Sequence, residues 1–187
     1  TLAFIFAVLK YIKASPRRIG FVNVSPLKIF GHGFIYSVIA LGAGLLVTAF
    51  IVTCVSAVMM SMGHSPAEVQ HMMMKSMGRE NEVMKAVSSA PGVIYAVIIA
   101  PVLEETIFRG LLFAGLKRLI PSWAAACISA GVFALLHFYI IGAPAIFIMG
   151  LVSCRLFERN KSIAPCIAMH SFWNMRAFLI LAFKHFS

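Results

Sequence analysis

Two adjacent glutamates, Glu104 and Glu105, lie inside one of the most apolar stretches of the chain, residues 98–113. The chain has six acidic residues, and all six are glutamate. An ionisable side chain at membrane depth is energetically expensive, so it indicates a functional or paired site. Arg109 follows Glu105 by four residues. Any fold for this chain must therefore give three neighbouring charges polar partners in apolar surroundings.

The composition predicts a membrane protein. Hydrophobic residues make up 61% of the 187 residues and the mean hydropathy is +0.94, which is too apolar for a soluble domain. We expect an all-α fold, a polytopic transmembrane helical bundle with a polar intramembrane cavity. It would be a single membrane-embedded domain over residues 1–187, with N-terminal spans and interfacial loop helices in 1–91 and core helices in 92–187. Because Thr1 already lies in an apolar run, we also expect residues upstream of it.

The positive charges predict an orientation. The chain has 16 Lys and Arg and a net charge of +10, and most of these residues flank apolar runs, which argues against nucleic-acid binding. Three basic segments alternate with less basic ones and fall on one side: residues 10–28, 117–118 and 155–161. By the positive-inside rule that side is cytoplasmic. We expect a multi-pass protein of a bacterial inner membrane, with its site open to the cytoplasm.

Turn residues and apolar runs predict the helices. Ser25-Pro26 and Ser65-Pro66 are typical helix starts, and Glu68 completes a capping box with Ser65. We predict that glycines in the first long run permit close helix packing: Gly31, Gly33, Gly42 and Gly44. The Met-rich segment 64–85 is interpreted as an interfacial helix rather than a soft-metal site. Predicted helical segments are 1–9 (a helix end), 29–62, 66–77, 80–88, 92–116, 122–141, 143–157 and 162–183.

Helix periodicity predicts which charges meet. Residues four apart share a helix face, whereas adjacent residues point about 100° apart. Glu105 and Arg109 are therefore expected to pair, and Glu104 is expected to point into a cavity. By the same spacing, His137 shares a face with Phe133, and His170 shares a face with Asn174. We predict that Glu104, His137, His170 and Asn174 line one cavity.

These residue types are sufficient for peptide hydrolysis. A carboxylate beside a histidine can take a proton from water and return it to a leaving amine, and a second histidine with an asparagine amide can stabilise an oxyanion. The same residues allow a zinc alternative, with Glu104, His137 and His170 as ligands. The absence of aspartate excludes two-aspartate proteolysis, and the helix-borne HExxH zinc motif is missing.

Three motifs occur in order on separate apolar segments: Glu104-Glu105-x-x-x-Arg109, Phe133-x-x-x-His137 and His170-x-x-x-Asn174. This ordered set resembles that of the CAAX-protease and bacteriocin-processing (Abi) family of intramembrane proteases, often labelled metalloproteases. The resemblance covers residues 92–183. It implies a conical cavity in which Glu104 and His137 activate water, while His170 and Asn174 form the oxyanion site. It also implies that Glu105 and Arg109 are supporting, structural residues.

The expected activity is hydrolysis of a peptide bond in a membrane-associated protein or peptide, without a cofactor unless the zinc alternative holds. Expected partners are membrane lipid and a peptide or membrane-protein substrate. Two other classes are open at this stage. One is a non-catalytic scaffold or immunity protein with the same fold. The other is a transporter or proton channel that uses Glu104 and His137 as a relay, although this class gives no role to His170 and Asn174.

Overall fold

The computed structural model describes residues 16–77 and 89–186, with a short 3₁₀ turn at Pro16–Ile19. Six helices and no strands occur in these ranges. The predicted apolar run 1–9 and the predicted helix 80–88 lie outside them. The helices are α1 (Pro26–Ser61), α2 (Pro66–Ser76), α3 (residues 90–116), α4 (Ser122–Leu136), α5 (Ala143–Asn160) and α6 (Ala164–Phe186).

Both predicted proline starts are confirmed. Helix α1 begins at Pro26 after Ser25, although the Ser25 side chain makes no capping hydrogen bond. Before α2 the full capping box forms: the Ser65 amide donates to Glu68 Oε2 at 2.7 Å, and the Glu68 amide donates to Ser65 Oγ at 3.3 Å. These bonds satisfy amide groups that the first turn of a helix leaves without partners.

Helix α1 has the length and composition of a membrane span. Its 36 residues have a hydropathy of 2.5, and it is the one helix in the described ranges that meets both criteria. Helix α4 is apolar but, with 15 residues, is shorter than the roughly 20 residues that cross a bilayer. The structure thus supports the all-helical prediction and one spanning helix, and does not by itself establish the predicted polytopic bundle.

Helix α1 packs on α5 and α6 through two glycines. A Cβ atom on Gly33 would lie 2.7 Å from the Ala168 Cβ, and one on Gly44 would lie 3.2 Å from the Ala145 Cα. Gly31 and Gly42 have no such neighbour within 4 Å. The predicted close packing is therefore correct for two of the four glycines. The other two lie outside these contacts.

Helix α3 differs from the regular helix predicted over residues 92–116. It contains two π-helical stretches, Tyr95–Ile99 and Thr106–Phe113. Pro101 accounts for the first stretch: it has no amide hydrogen, so the helical hydrogen-bond ladder cannot continue through it. In the second stretch the Ser129 hydroxyl of α4 donates to the Phe108 carbonyl at 2.9 Å. A side chain that inserts into the ladder in this way distorts a helix locally.

Helices α4 and α5 have different bounds from those predicted. Helix α4 ends at Leu136 instead of 141, because Phe138 adopts a left-handed backbone with φ of 56°. His137 consequently becomes the C-cap residue of α4. Helix α5 extends beyond 157 to Asn160, and its C-cap residue Lys161 also has a left-handed backbone conformation.

Gly110 of α3 provides a test of this packing. A Cβ atom there would lie 2.7 Å from the backbone oxygen of Ile19, whereas one on Gly115 of the same helix would meet nothing within 4 Å. We predict that Gly110→Ala lowers stability by about 1–3 kcal/mol, because a backbone oxygen cannot move aside easily. Gly115→Ala is the matched control and is expected to stabilise by up to about 1 kcal/mol. The measurement is the thermal midpoint in detergent, and equal effects of the two variants would contradict this packing.

Candidate active site

Glu105 and Arg109 form an ion pair that is fully buried. Both side chains are 0% exposed, and Arg109 Nη1 lies 3.1 Å from Glu105 Oε1. The pairing predicted from their spacing is therefore confirmed. The spacing also predicts a hydrogen bond between them, which is not formed: Arg109 Nη1 has no hydrogen-bond partner within the described ranges, and the contact is one of opposite charges. Burying the two charges together avoids the larger cost of an isolated buried charge.

Helices α4 and α5 complete the surroundings of Arg109. Its Nη2 donates to the Gly150 carbonyl at 3.4 Å, and the guanidinium lies 4.6 Å from the centre of the Phe133 ring. Gly150 itself packs so closely on Ala130 that a Cβ atom there would lie 2.8 Å from the Ala130 Cβ. A small residue at 150 therefore brings the α5 backbone within reach of the buried cation.

Glu105 also orients His170. Its Oε2 accepts from Ser153 Oγ at 2.7 Å, and its Oε1 lies 3.0 Å from His170 Nδ1. A carboxylate accepts hydrogen bonds, so the Nδ1 atom is assigned the proton. The imidazole ring is 2% exposed and held on one side by this contact. Its other nitrogen, Nε2, points toward Glu104 and lies 3.8 Å from Glu104 Oε2.

His137 presents its Nε2 atom to the same oxygen. Its Nδ1 lies 2.7 Å from the Phe133 carbonyl, which can only accept, so Nδ1 is again assigned the proton. The Nε2 atom lies 3.9 Å from Glu104 Oε2. These two gaps are too long for direct hydrogen bonds and fit one bridging water. Glu104 Oε2 is buried and has no hydrogen-bond partner within the described ranges.

Asn174 is held by a carbonyl group that a proline releases. Its Nδ2 donates to the Ala96 carbonyl at 2.8 Å. In the π-helical stretch the amide of Ala100 bonds to the Tyr95 carbonyl, so the next amide, that of residue 101, would serve Ala96. Residue 101 is proline and has no amide hydrogen. The Asn174 side chain takes its place, which leaves the second amide hydrogen of Asn174 available to the cavity.

The four predicted site residues line one cavity of about 320 Å³. It lies between α3, α4, α5 and α6, and Tyr95, Tyr139, Trp173 and Arg176 also line it. The structure thus brings Glu104, His137, His170 and Asn174 together, while Glu105 and Arg109 lie behind them in the packed interior. The catalytic roles of these residues stay predictions.

The cavity lining does not lie next to the basic segments, and the predicted opening toward their side stays a prediction. The lining residues belong to the first parts of α3 and α5, the residues that follow α4, and the middle of α6. Lys117 and Arg159 lie at the opposite ends of α3 and α5. The pattern of charges can place the basic loops on one side of a membrane, but it does not reveal which half of each helix lines the cavity. The cavity lies in the half remote from the basic segments.

A zinc ion does not fit the site well as described. Zinc with bonds of about 2.0–2.1 Å in a tetrahedral arrangement separates its ligand atoms by about 3.3 Å, whereas Glu104 Oε2 lies 3.8 and 3.9 Å from the two Nε2 atoms. No group of three His, Cys or Glu side chains suited to a metal occurs within residues 16–77 and 89–186.

Two contributors to the site are not evident from the motifs. Ser153, which is fully buried, binds Glu105 from a segment that the sequence marks only as apolar. The Ala96 carbonyl, which holds Asn174, cannot be identified from residue types either. Pro101 inside an apolar helix does indicate that a nearby carbonyl lacks its usual amide partner.

Comparison with known proteins agrees with the motif-based resemblance. A family model described as type II CAAX prenyl endopeptidase Rce1-like matches residues 86–176, a segment that contains all three motifs. No curated protein matches the chain. No solved structure matches it either. The family predicted from the motifs is confirmed over the matched segment: residues 86–176 are similar to the Rce1-like type II CAAX prenyl endopeptidases.

Proposed function

We propose that this protein is an intramembrane endopeptidase that hydrolyses a peptide bond with a water molecule activated by Glu104 and His137. The observation that supports this most directly is the buried Glu104 Oε2, which has no described partner and lies within 4 Å of two imidazole Nε2 atoms. The Glu104 oxygen and the His137 Nε2 lone pair are two acceptors that face one point, and a water molecule between them supplies one hydrogen to each. Such a water is positioned to lose a proton to the carboxylate.

The proposed first step is attack of this water on the substrate carbonyl. Glu104 accepts the proton, while the His137 Nε2 lone pair accepts the second hydrogen bond and orients the oxygen. The carbonyl carbon becomes tetrahedral and its oxygen gains negative charge. In the second step Glu104 returns the proton to the leaving nitrogen, and the C–N bond breaks. Glu104 thus serves as base and then as acid, without a covalent intermediate.

His170 and Asn174 are suited to the developing oxyanion. Asn174 retains one amide hydrogen after it binds the Ala96 carbonyl. His170 needs a proton on Nε2 in order to donate to the oxyanion, while its Nδ1 already faces Glu105 at 3.0 Å. We assign the ring both protons throughout the reaction, so His170 neither gains nor loses a proton in either step, and Glu104 and Glu105 together balance the charges of Arg109 and His170. Preorganised donors of this kind stabilise the transition state more than the bound substrate.

We infer that the protein crosses the membrane several times and that its substrate is a peptide or a segment of a membrane protein. The family is membrane-embedded, and helices α3 to α6 surround a cavity with mostly apolar walls. If the basic segments are cytoplasmic, the cavity lies in the non-cytoplasmic half. An apolar wall favours a substrate that approaches in extended form from the bilayer or from that side.

We predict that the two glutamates have different roles, Glu104 in catalysis and Glu105 in stability. Glu104→Gln should abolish cleavage of a peptide library by the purified protein in phospholipid nanodiscs, because an amide cannot accept the proton. Its thermal midpoint should stay close to that of the wild type. Glu105→Gln is the matched isosteric control, and it should lower stability by about 3–5 kcal/mol because it leaves Arg109 unpaired in a buried site.

Two outcomes would contradict this mechanism. Cleavage that persists in Glu104→Gln, or its absence from the wild type under all conditions, would favour a non-catalytic role. Stoichiometric zinc that is lost together with activity on chelation, and that restores activity on return, would replace the water–glutamate mechanism with a metal-dependent one at the same residues.

Cysteine labelling can test which side of the membrane the cavity faces. In a variant without native cysteines, a cysteine at Ile140, which is 77% exposed beside the cavity residue Tyr139, should react with a membrane-impermeant thiol reagent added outside sealed cells. A cysteine at Leu119, which is 82% exposed beside Lys117 and Arg118, should react after the cells are opened. Labelling in the reverse order would place the cavity on the cytoplasmic side.

A further inference from the structure

Arg176 lines the catalytic cavity without a counter-ion in the part of the chain that is described. The described carboxylates are those of Glu68, Glu104, Glu105 and Glu158, and none lies within ion-pair distance of Arg176. The buried Nε atom of Arg176 also has no hydrogen-bond partner there. Its contrast with Arg109 is clear, since Arg109 has a carboxylate at 3.1 Å.

The surroundings of Arg176 hold it in place but do not neutralise it. Its guanidinium carbon lies 4.2 Å from the centre of the Trp173 ring, one helical turn earlier on α6. Stacking on an indole favours a cation and fixes the plane of the guanidinium. A planar guanidinium with free N–H groups matches a carboxylate in a bidentate arrangement. An unneutralised charge in a low-dielectric cavity is costly, and an anionic ligand removes that cost.

Arg176 is also well placed relative to the proposed chemistry. It follows His170 by six residues, about 9 Å along the helix, and both side chains line the same cavity. An extended peptide advances about 3.3 Å per residue. A substrate group bound to Arg176 would thus lie a few residues from the bond that faces His170 and Glu104.

We propose that Arg176 is a substrate-recognition residue that binds a carboxylate of the peptide close to the bond that is cleaved. This proposal rests on the proposed function and adds the chemical class of the recognised group. The carboxylate is either the C-terminus of the peptide or an acidic side chain. Stacking on Trp173 holds the guanidinium ready, and the substrate supplies the missing negative charge.

Binding can be tested without catalysis, in Glu104→Gln protein in nanodiscs of neutral phospholipid. The probes are acetylated apolar pentapeptides of one sequence: a free acid, a C-terminal amide, and an amide with one internal glutamate. We expect the free acid or the glutamate peptide to bind at least about ten-fold more tightly than the plain amide, as charge-assisted hydrogen bonds typically allow. The stronger of the two identifies the source of the carboxylate.

Arg176→Met should remove this preference, and Arg176→Gln provides a second neutral variant in case the first folds poorly. Arg155→Met is the matched control, because Arg155 is exposed on α5 and does not line the cavity. It should retain the full preference. Without peptide, Arg176→Met should be as stable thermally as the wild type or more so, since it removes an unpaired charge.

Three results would overturn the proposal: no preference for a carboxylate, a preference that survives in both Arg176 variants, or loss of the preference in Arg155→Met as well. A preference that depends on Arg176 in protein that cleaves no peptide would support the recognition role while refuting the proposed hydrolysis. With the wild-type Glu104 in place, the ratio of kcat/KM for the acid to kcat/KM for the amide should fall toward unity in Arg176→Gln and stay at the wild-type value in Arg155→Met.

Discussion

The buried Glu105–Arg109 pair is the constraint on which the site depends. Neither side chain is exposed, and an isolated charge at such a position would cost several kcal/mol, of the order of the stability of a whole domain. The two residues neutralise each other within one helix, so the pair is formed as soon as α3 forms. Everything packed around it must then be either small or able to hydrogen-bond. Gly150, Ser153 and His170 meet those requirements.

Glu104 and Glu105 have different environments because they are adjacent on one helix. Because neighbouring residues on a helix point about 100° apart, the Glu105 side chain faces the packed interior while Glu104 faces the cavity. One carboxylate is thus paired with Arg109 and fixed, and the other keeps an oxygen without a described partner. His170 connects the two, with Nδ1 on Glu105 and Nε2 toward Glu104. The charge pair therefore also sets the orientation of a residue proposed to act on the oxyanion.

The sequence was sufficient for features that depend on short-range chemistry. The i,i+4 charge pair, the Ser65 capping box and the helix start at Pro26 all follow from local spacing, and the structure contains them. The proximity of His137 to Glu104 follows from the helix faces on which they lie and from the energetic cost of leaving polar groups in apolar surroundings.

The remaining features depend on long-range packing. The π-helical turns of α3 arise from Pro101 together with a hydroxyl from another helix, and the left-handed Phe138 that ends α4 has no clear local signal. Ser153 reaches Glu105 from 48 residues away along the chain, which residue-type reasoning cannot reveal. The side on which the cavity lies depends on how helix ends diverge, and loop charges report only on which ends share a side of the membrane.

A double-mutant cycle on the buried pair tests the central claim most directly. Thermal stability in detergent would be measured for the wild type, Glu105→Gln, Arg109→Met and the double variant. If the two charges exist to neutralise each other, each single variant strands a buried charge, and the double variant should be more stable than Glu105→Gln, with a coupling energy of about 1–3 kcal/mol. Additive losses, with the double variant the least stable of the four, would contradict the account.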